Sequence, residues 1–330
     1  MSFWKDKNVL ITGIGGFVAF SLASRLVRQG ANVTGTIKDY NSLTKLRMEM
    51  SPEIVNKINY TTGDVCDYSF LRRTVNKYEV DACFHLAAMS TVRICSRDPI
   101  VAFRTNVEGT WNVLEACRTS KTVEATVVAS TDKCYGIPEQ LPYKEGDVLN
   151  GLATYDASKA CADIVARSFA YNYDMPVSVT RCCNIYGPGD LNLSRIIPNT
   201  IRRVVAGKPA MLWNDSAAMI REFVYIDDIV DAYLGLAENI DTTRGKAYNV
   251  GTLEHIKVED FIKKIFECMG KEPNIEIKER DAEFKEIPEQ YLDSALIKED
   301  IGWEAKRGLD VGLKKTVDWY VNFFKNLEEK

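Results

Sequence analysis

Val9-Leu10-Ile11-Thr12-Gly13-Ile14-Gly15-Gly16-Phe17-Val18-Ala19 is an apolar run, a glycine-rich turn and the first residues of a helical pattern. A tight turn between strand and helix needs glycine where a Cβ would clash. Glycine also lets the backbone approach a pyrophosphate lying on the helix N-terminus. The spacing is GxxGxxA, with the small Ala19 where helix and strand pack closely. Set between a strand and a helix, the turn points to a dinucleotide seat built from Gly13, Gly15, Gly16, Phe17 and Val18.

Working outward from this turn, short apolar runs alternate with helical stretches. Strands are expected at Val9–Ile11, Asn32–Ile37, Ile58–Thr61, Ala82–Leu86, Ala125–Ala129 and Val177–Arg181, with a helix over Phe17–Arg28 stopped by Gly30. Such alternation predicts an α/β fold, a doubly wound parallel sheet covered by helices on both faces. After about residue 185 prolines and separated helices replace strict alternation. Val258, Phe261, Ile262, Ile265, Phe266 and Met269 keep helical spacing, as do Leu313, Val317, Tyr320, Val321 and Phe324. Both stripes read as core packing. Residues 1–183 are therefore expected to form the dinucleotide-binding domain, with a return segment near 223–252. Residues 184–222 and 253–330 form a smaller mixed lobe.

The 330 residues are 46% hydrophobic and 27% charged, an ordinary globular mixture. A net charge of −4 supplies no basic field for nucleic acid or an anionic membrane. No apolar run approaches the ~18 residues of a membrane span. The N-terminus lacks the apolar core of a secretory signal. Nine scattered cysteines with no CxxC, and only His85 and His255, argue against a metal site. Reduced thiols point to the cytoplasm.

The ends of the remaining strands carry cofactor candidates. Asp39, after the second strand, is placed to grip the adenosine ribose and select NAD, whereas Lys38 would favour the 2′-phosphate of NADP. NAD is the expected cofactor, with NADP left open. Asp64 and Val65 follow the third strand, where an acceptor for the adenine amino group and an apolar face for its ring are needed. Leu86, Ala87 and Ala88 end the fourth strand with small residues beside the cofactor, and His85 reads as a packed structural residue.

Chemistry is concentrated in two further motifs. Tyr155 and Lys159, four apart at the start of a helix, share one face, and an ammonium near a phenol favours the phenolate. Thr131, at the end of the fifth strand, can hydrogen-bond the same substrate hydroxyl that Tyr155 deprotonates.

With these residues in place, the chain resembles the extended short-chain dehydrogenases, and within them the nucleotide-sugar 4,6-dehydratases. The landmarks are the GxxGxxA turn, Asn106 in Thr105-Asn106-Val107-Glu108-Gly109-Thr110, and the YxxxK pair. Arg181-Cys182-Cys183-Asn184-Ile185-Tyr186-Gly187-Pro188-Gly189 and Arg221-Glu222-Phe223-Val224-Tyr225-Ile226-Asp227-Asp228 complete them. The resemblance implies a Rossmann-type fold, Asn106 among the cofactor residues, and catalysis by Thr131, Asp132, Lys133, Tyr155 and Lys159. Most such dehydratases carry Thr-Asp-Glu where this chain has Thr131-Asp132-Lys133. Lysine in that place resembles the CDP-glucose 4,6-dehydratases.

The resemblance implies C4 oxidation, loss of water across C5 and C6, and hydride return to C6 of a nucleotide-linked hexose. Asp132 would be the acid at the C6 hydroxyl, and Lys133 either the base at C5 or a cation stabilising the enolate. Ser90, Asn184, Arg195 and Arg221 are expected at the sugar and diphosphate, since guanidinium pairs with phosphate in bidentate fashion. Asp227 and Asp228 are expected to orient loops. A homodimer is expected through the helix after Asn106 and the helix carrying YxxxK, with Cys117, Cys161 and Phe169 partly buried there. The competing activity is a nucleotide-sugar 4-epimerase, which needs no acid at C6. A non-catalytic dinucleotide-binding protein would not need Thr131, Tyr155 and Lys159.

Overall fold

A computed structural model describes residues 2–39, 52–279 and 286–328. Seven parallel strands form the central sheet: β1 (Asn8–Thr12), β2 (Asn32–Ile37), β3 (Asn59–Thr62), β4 (Ala82–His85), β5 (Ala125–Thr131), β6 (Val177–Cys182) and β10 (Ala247–Val250). Their order is β10-β6-β5-β4-β1-β2-β3. The first six are the six runs expected from the sequence. The seventh, β10, is a buried four-residue strand that adds to the edge beside β6; it lies inside the segment 223–252, where the sequence pattern names no strand.

Side chains alternate across the sheet, as the two-residue period of a strand requires. Val9 and Ile11 of β1 join the core under α1 (Phe17–Arg28), while Leu10 faces the opposite core. That second core packs under α2 (Tyr68–Lys77), α3 (Gly109–Arg118) and α4 (Thr154–Tyr173). Val127 and Val128 of β5 divide in the same way. Fully buried side chains such as Phe20, Leu26, Leu71 and Leu114 each contribute about 1.5–3 kcal/mol by leaving water.

The smaller lobe begins with β7 (Asn184–Tyr186) and α5 (Ile196–Val205) and continues through β8 (Ala210–Trp213) and β9 (Ile220–Tyr225). Strand β9 pairs with β7, with β11 (His255–Lys257) and with β13 (Glu289–Gln290), while β8 pairs with β12 (Ile275–Lys278). Helix α6 (Ile226–Glu238) returns to the main sheet and packs on α1. The expected amphipathic helices are α7 (Val258–Cys268), ended by Gly270 at φ +63°, and α8 (Leu309–Glu328). Their stripes are buried at Phe261, Ile262, Ile265 and Phe266, and at Leu313, Val317, Tyr320 and Phe324.

One ionic post joins sheet, helix and loop. Arg181 of β6 is 1% exposed and makes two hydrogen bonds to Asp163 of α4, at 2.8 and 2.9 Å. It also donates to the Tyr135 hydroxyl at 2.8 Å and to the Glu145 carbonyl at 3.0 Å. Among the described residues no helix is long and apolar enough to cross a membrane.

Candidate active site

The strand order 3-2-1-4-5-6 reverses direction between β1 and β4, which opens a crevice at their carboxyl ends. Gly13 lies there with φ +69°, and a Cβ on it would stand 2.7 Å from Ala87 Cα. The chain at Gly13 and the chain after β4 thus touch with no room for a side chain. Gly16 caps α1 without a side-chain hydrogen bond, and the first turn of that helix holds no acid. Its N-terminal amides suit a pyrophosphate. This cradle fits a dinucleotide.

The Thr12 hydroxyl accepts from the Leu86 and Ala87 amides, both at 3.1 Å, and so fixes that approach. Its single proton goes to His85 Nδ1 at 2.8 Å, and His85 Nε2 donates to Thr110 Oγ1 at 3.0 Å. This follows because the Thr110 proton is spent on the Asn106 carbonyl. Burial pushes His85 down to about 3, so it is a neutral structural brace.

The charged candidates after β2 and β3 lie close together. Lys38 binds Asp64 at 2.9 Å. Burial acts to raise the Asp64 carboxyl, but hydrogen bonds from the Cys66 amide and Lys38 outweigh it and hold it below its usual range. Asp39 stands exposed just past β2. Val65 is buried against α3.

Asn106 sits in a π-helical turn, Arg104–Glu108, preceding α3. It accepts from the Met89 amide at 2.8 Å and donates to the Met89 carbonyl at 3.1 Å and to Ser158 Oγ at 2.8 Å. Asn106, expected among the cofactor residues, clamps the chain after β4 to α4, one residue from Lys159. Its buried amide needs all three partners and finds them there.

A cavity of about 300 Å³ lies between the sheet and the lobe. Phe17, Val18, Ser90, Thr131, Asp132, Lys133, Tyr155, Asn184 and Arg195 all face it. Burial, then the Asp132 charge, raises the Tyr155 phenol, while Thr131 and Arg195 oppose the rise. Desolvation, not the Lys159 charge, therefore dominates at this phenol. Lys159 is 5% exposed, donates to the Ala129 carbonyl, and is pushed down to about 8 by burial. Burial likewise raises the carboxyl of Asp132, which is 3% exposed. Its Oδ1 accepts from Thr131 Oγ1 at 3.0 Å, and its Oδ2 has no hydrogen-bond partner. A carboxyl raised in this way can hold a proton to give.

The remaining candidates divide. Arg195, at the start of α5, is partly exposed and pairs with Asp190 at 2.9 Å. Asn184 Nδ2 donates to the Glu222 carbonyl at 3.1 Å. Arg221, expected at the diphosphate, is buried and is not among the residues lining the cavity. Its guanidinium donates to the carbonyls of Ile220, Ile287 and Pro288 at 2.9, 2.6 and 3.1 Å. A buried guanidinium requires acceptors, and the strap leading into β13 supplies them. Asp228 accepts from Lys306, Arg307 and the Arg307 side chain, so it orients a loop as expected.

Three buried polar residues near these elements escaped sequence reasoning. Gln290 of β13 accepts from Lys133 Nζ at 3.0 Å across 157 positions, a separation that leaves no local signal. Glu222, pushed up to about 7 by burial, accepts the amides of Thr252, Leu253 and Leu292. Asp156 lies inside the YxxxK motif, where a charge between two positions expected to be catalytic was a readable signal.

The geometry has known counterparts. The chain is 27% identical over 321 residues to an Arabidopsis thaliana trifunctional UDP-glucose 4,6-dehydratase/epimerase/reductase, covering 96% of this chain and 47% of that protein. It thus spans about half the length of such relatives. It is 27% identical to a CDP-glucose 4,6-dehydratase of Salmonella typhimurium, over 97% of this chain and 92% of that one. The solved dTDP-glucose 4,6-dehydratase of Streptomyces venezuelae, with NAD bound, superposes with a TM-score of 0.83 at 25% identity, covering 96% and 97% of the two chains. Sugar-nucleotide 4-epimerases share the fold. A family model described as GDP-mannose 4,6 dehydratase matches residues 10–316, nearly the whole of both lobes, and the chain belongs to that family of extended short-chain dehydrogenases.

Proposed function

We propose that this chain is an NAD-dependent nucleotide-sugar 4,6-dehydratase acting on a hexose such as that of CDP-glucose. The observation that carries the reading is Asp132, a buried acid with one unpartnered oxygen beside Thr131 and Tyr155. A 4-epimerase has no use for a proton donor at C6.

NAD held on the Gly13 turn and the α1 N-terminus supplies hydride acceptance at C4 and hydride return at C6. Tyr155 takes the proton from O4, and Thr131 orients that hydroxyl. Lys159, buried under Tyr155, adds positive charge that favours the phenolate. The 4-ketone acidifies the C5 proton, and Lys133 faces the place where the enolate charge develops. Asp132 protonates the departing C6 hydroxyl. Arg195 meets the diphosphate, with Asn184 and Ser90 on the sugar side of the same cavity. Asp39 selects NAD, with Lys38 engaged by Asp64. Arg221 holds the strap leading into β13, whose Gln290 meets Lys133.

Two further features belong to this reading. The protein is a homodimer joined through α3 and α4, whose outer faces carry Trp111 and Ile164, 44% and 53% exposed. Ile100, on the adjoining short helix, is 72% exposed. Cys161 is exposed there too, whereas Cys117 lies in the core under α3 and cannot take part. Light scattering at micromolar concentration tests the dimer. The free thiols among the described residues suit a reducing cytoplasm.

The functional test incubates the protein and NAD with CDP-, dTDP-, UDP- and GDP-linked hexoses. A 4-keto-6-deoxy product, detected in alkali and as the loss of one water by mass, is expected. A C4-inverted sugar with no loss of water would replace this reading with the epimerase.

A further inference from the structure

We infer that Gln290 is the positioning residue of Lys133, its side-chain carbonyl holding the Lys133 ammonium toward C5 of the sugar from behind the cavity. The inference rests on the dehydratase reading and adds a residue to it. Lys133 Nζ donates to Gln290 Oε1 at 3.0 Å. Lys133 lines the cavity, whereas Gln290 is 0% exposed and is not among the lining residues. The contact therefore reaches the ammonium from the protein side and leaves its other donors for the substrate. An ammonium can only donate, so the amide turns its oxygen to Lys133 and its nitrogen elsewhere.

That nitrogen is a second, independent observation. Gln290 Nε2 is buried and, among the described residues, has no hydrogen-bond partner. An unsatisfied buried donor costs folding free energy, and an apolar side chain of similar size would carry no such cost. Packing by itself thus disfavours glutamine at this place. What glutamine offers, and an apolar residue lacks, is an acceptor for Lys133.

The acceptor is held in a frame. Gln290 lies opposite Arg221 in the pairing of β13 with β9, and Arg221 binds the carbonyls of Ile287 and Pro288. On the other side, the Tyr143 amide donates to the Tyr291 carbonyl at 3.0 Å, and the Leu292 amide donates to Glu222 Oε2 at 2.9 Å. The Tyr143 ring stacks on Tyr135 with centroids 4.7 Å apart, and its hydroxyl donates to the Gly136 carbonyl. Tyr135 closes the short turn Asp132–Tyr135 that carries Lys133. Strap and turn are therefore tied to each other next to the place where Lys133 and Gln290 meet. Lysine ends a long flexible stem, so a fixed acceptor restricts where its charge stands. A neutral acceptor does this without cancelling the charge, which stays available to the enolate.

The test uses the full chain with NAD and CDP-glucose, or whichever of the four nucleotide hexoses is turned over. Single-turnover NADH formation reports C4 oxidation, and deuterium uptake from solvent reports C5. Gln290→Met should slow C5 exchange about 10- to 100-fold, the range for a hydrogen bond to a charged group. NADH formation and KM for the nucleotide sugar should be unchanged, because Gln290 touches neither substrate nor cofactor. The urea midpoint should not fall, because the variant removes the unsatisfied donor.

Added to Lys133→Met, Gln290→Met should have no further effect on C5 exchange, since both act through one ammonium. Gln290→Leu gives the same readout should the methionine variant fold poorly. Wild-type C5 exchange in Gln290→Met, additivity with Lys133→Met, a parallel loss of NADH formation, a KM raised in step with the lost rate, or failure of both variants to fold would each overturn the proposal. The dehydratase reading is judged separately, on the wild type. If that protein inverts C4 and takes up no deuterium at C5, the reading falls and takes this role with it.

Discussion

Replacing Asp132 by asparagine should divide the reaction into its two halves. In the wild type, Thr131 Oγ1 donates to Asp132 Oδ1 at 3.0 Å, and Oδ2 has no partner. Asparagine keeps the acceptor and removes a carboxyl that burial already disfavours as an anion. The fold should hold. The Asp132 charge is also one of the causes that raise the Tyr155 phenol, so its removal should not slow C4 oxidation. What disappears is the proton donor at O6. General acid assistance is typically worth about 10² to 10⁴ in rate, or about 3–5 kcal/mol of barrier. In a stopped-flow single turnover, NADH absorbance should rise at the wild-type rate and then persist, with water loss slowed by that factor. Product forming at the wild-type rate would remove Asp132 from its role. Loss of the NADH phase itself would show that Asp132 serves oxidation instead.

Tyr155→Phe should lower turnover by at least about 10² while NAD affinity by calorimetry stays near the wild-type value, because the Gly13 cradle and the α1 N-terminus are untouched. Gly13→Ala should cost roughly 1–3 kcal/mol of stability and abolish calorimetric NAD binding, since φ is +69° and the new Cβ would meet Ala87 Cα at 2.7 Å. Asp163→Asn should destabilise by about 3–5 kcal/mol in urea unfolding, because it leaves the Arg181 guanidinium, 1% exposed, without its counter-ion. Lys159→Met should be inactive yet no less stable at pH 7. The wild-type lysine binds fewer protons folded than unfolded between about 8 and its ordinary 10.5, so wild-type stability should gain on the variant as pH rises through that window. Equal pH slopes in denaturant titrations would contradict the buried charge.

The parallel sheet was legible because strands buried on both faces must be written as unbroken apolar runs, as at Val9–Ile11 and Ala125–Ala129. The cradle was legible because only glycine tolerates the Gly13 conformation and the approach of Ala87. Tyr155 and Lys159 were legible because one helical turn places them on one face. Strand β10 was not, since four residues after a loop carry too little pattern to separate a strand from any other buried segment. The carbonyl partners of Arg221 were not legible because a family motif names the residue but not the direction of its side chain. That direction depends on carbonyls 66 and 67 positions away.

Local covalent and steric demands therefore determined the fold class, the glycine turn after β1 and the placing of Tyr155 and Lys159 one helical turn apart from the sequence by itself. Tertiary structure alone decided which charges meet. It set Lys133 against Gln290, tied Lys38 to Asp64, gave Arg221 to the strap, and buried Asp132 with an oxygen unsatisfied. The reason is physical. Backbone preference acts between near neighbours in the chain, whereas desolvation and Coulomb interaction depend on distances in space that only folding creates.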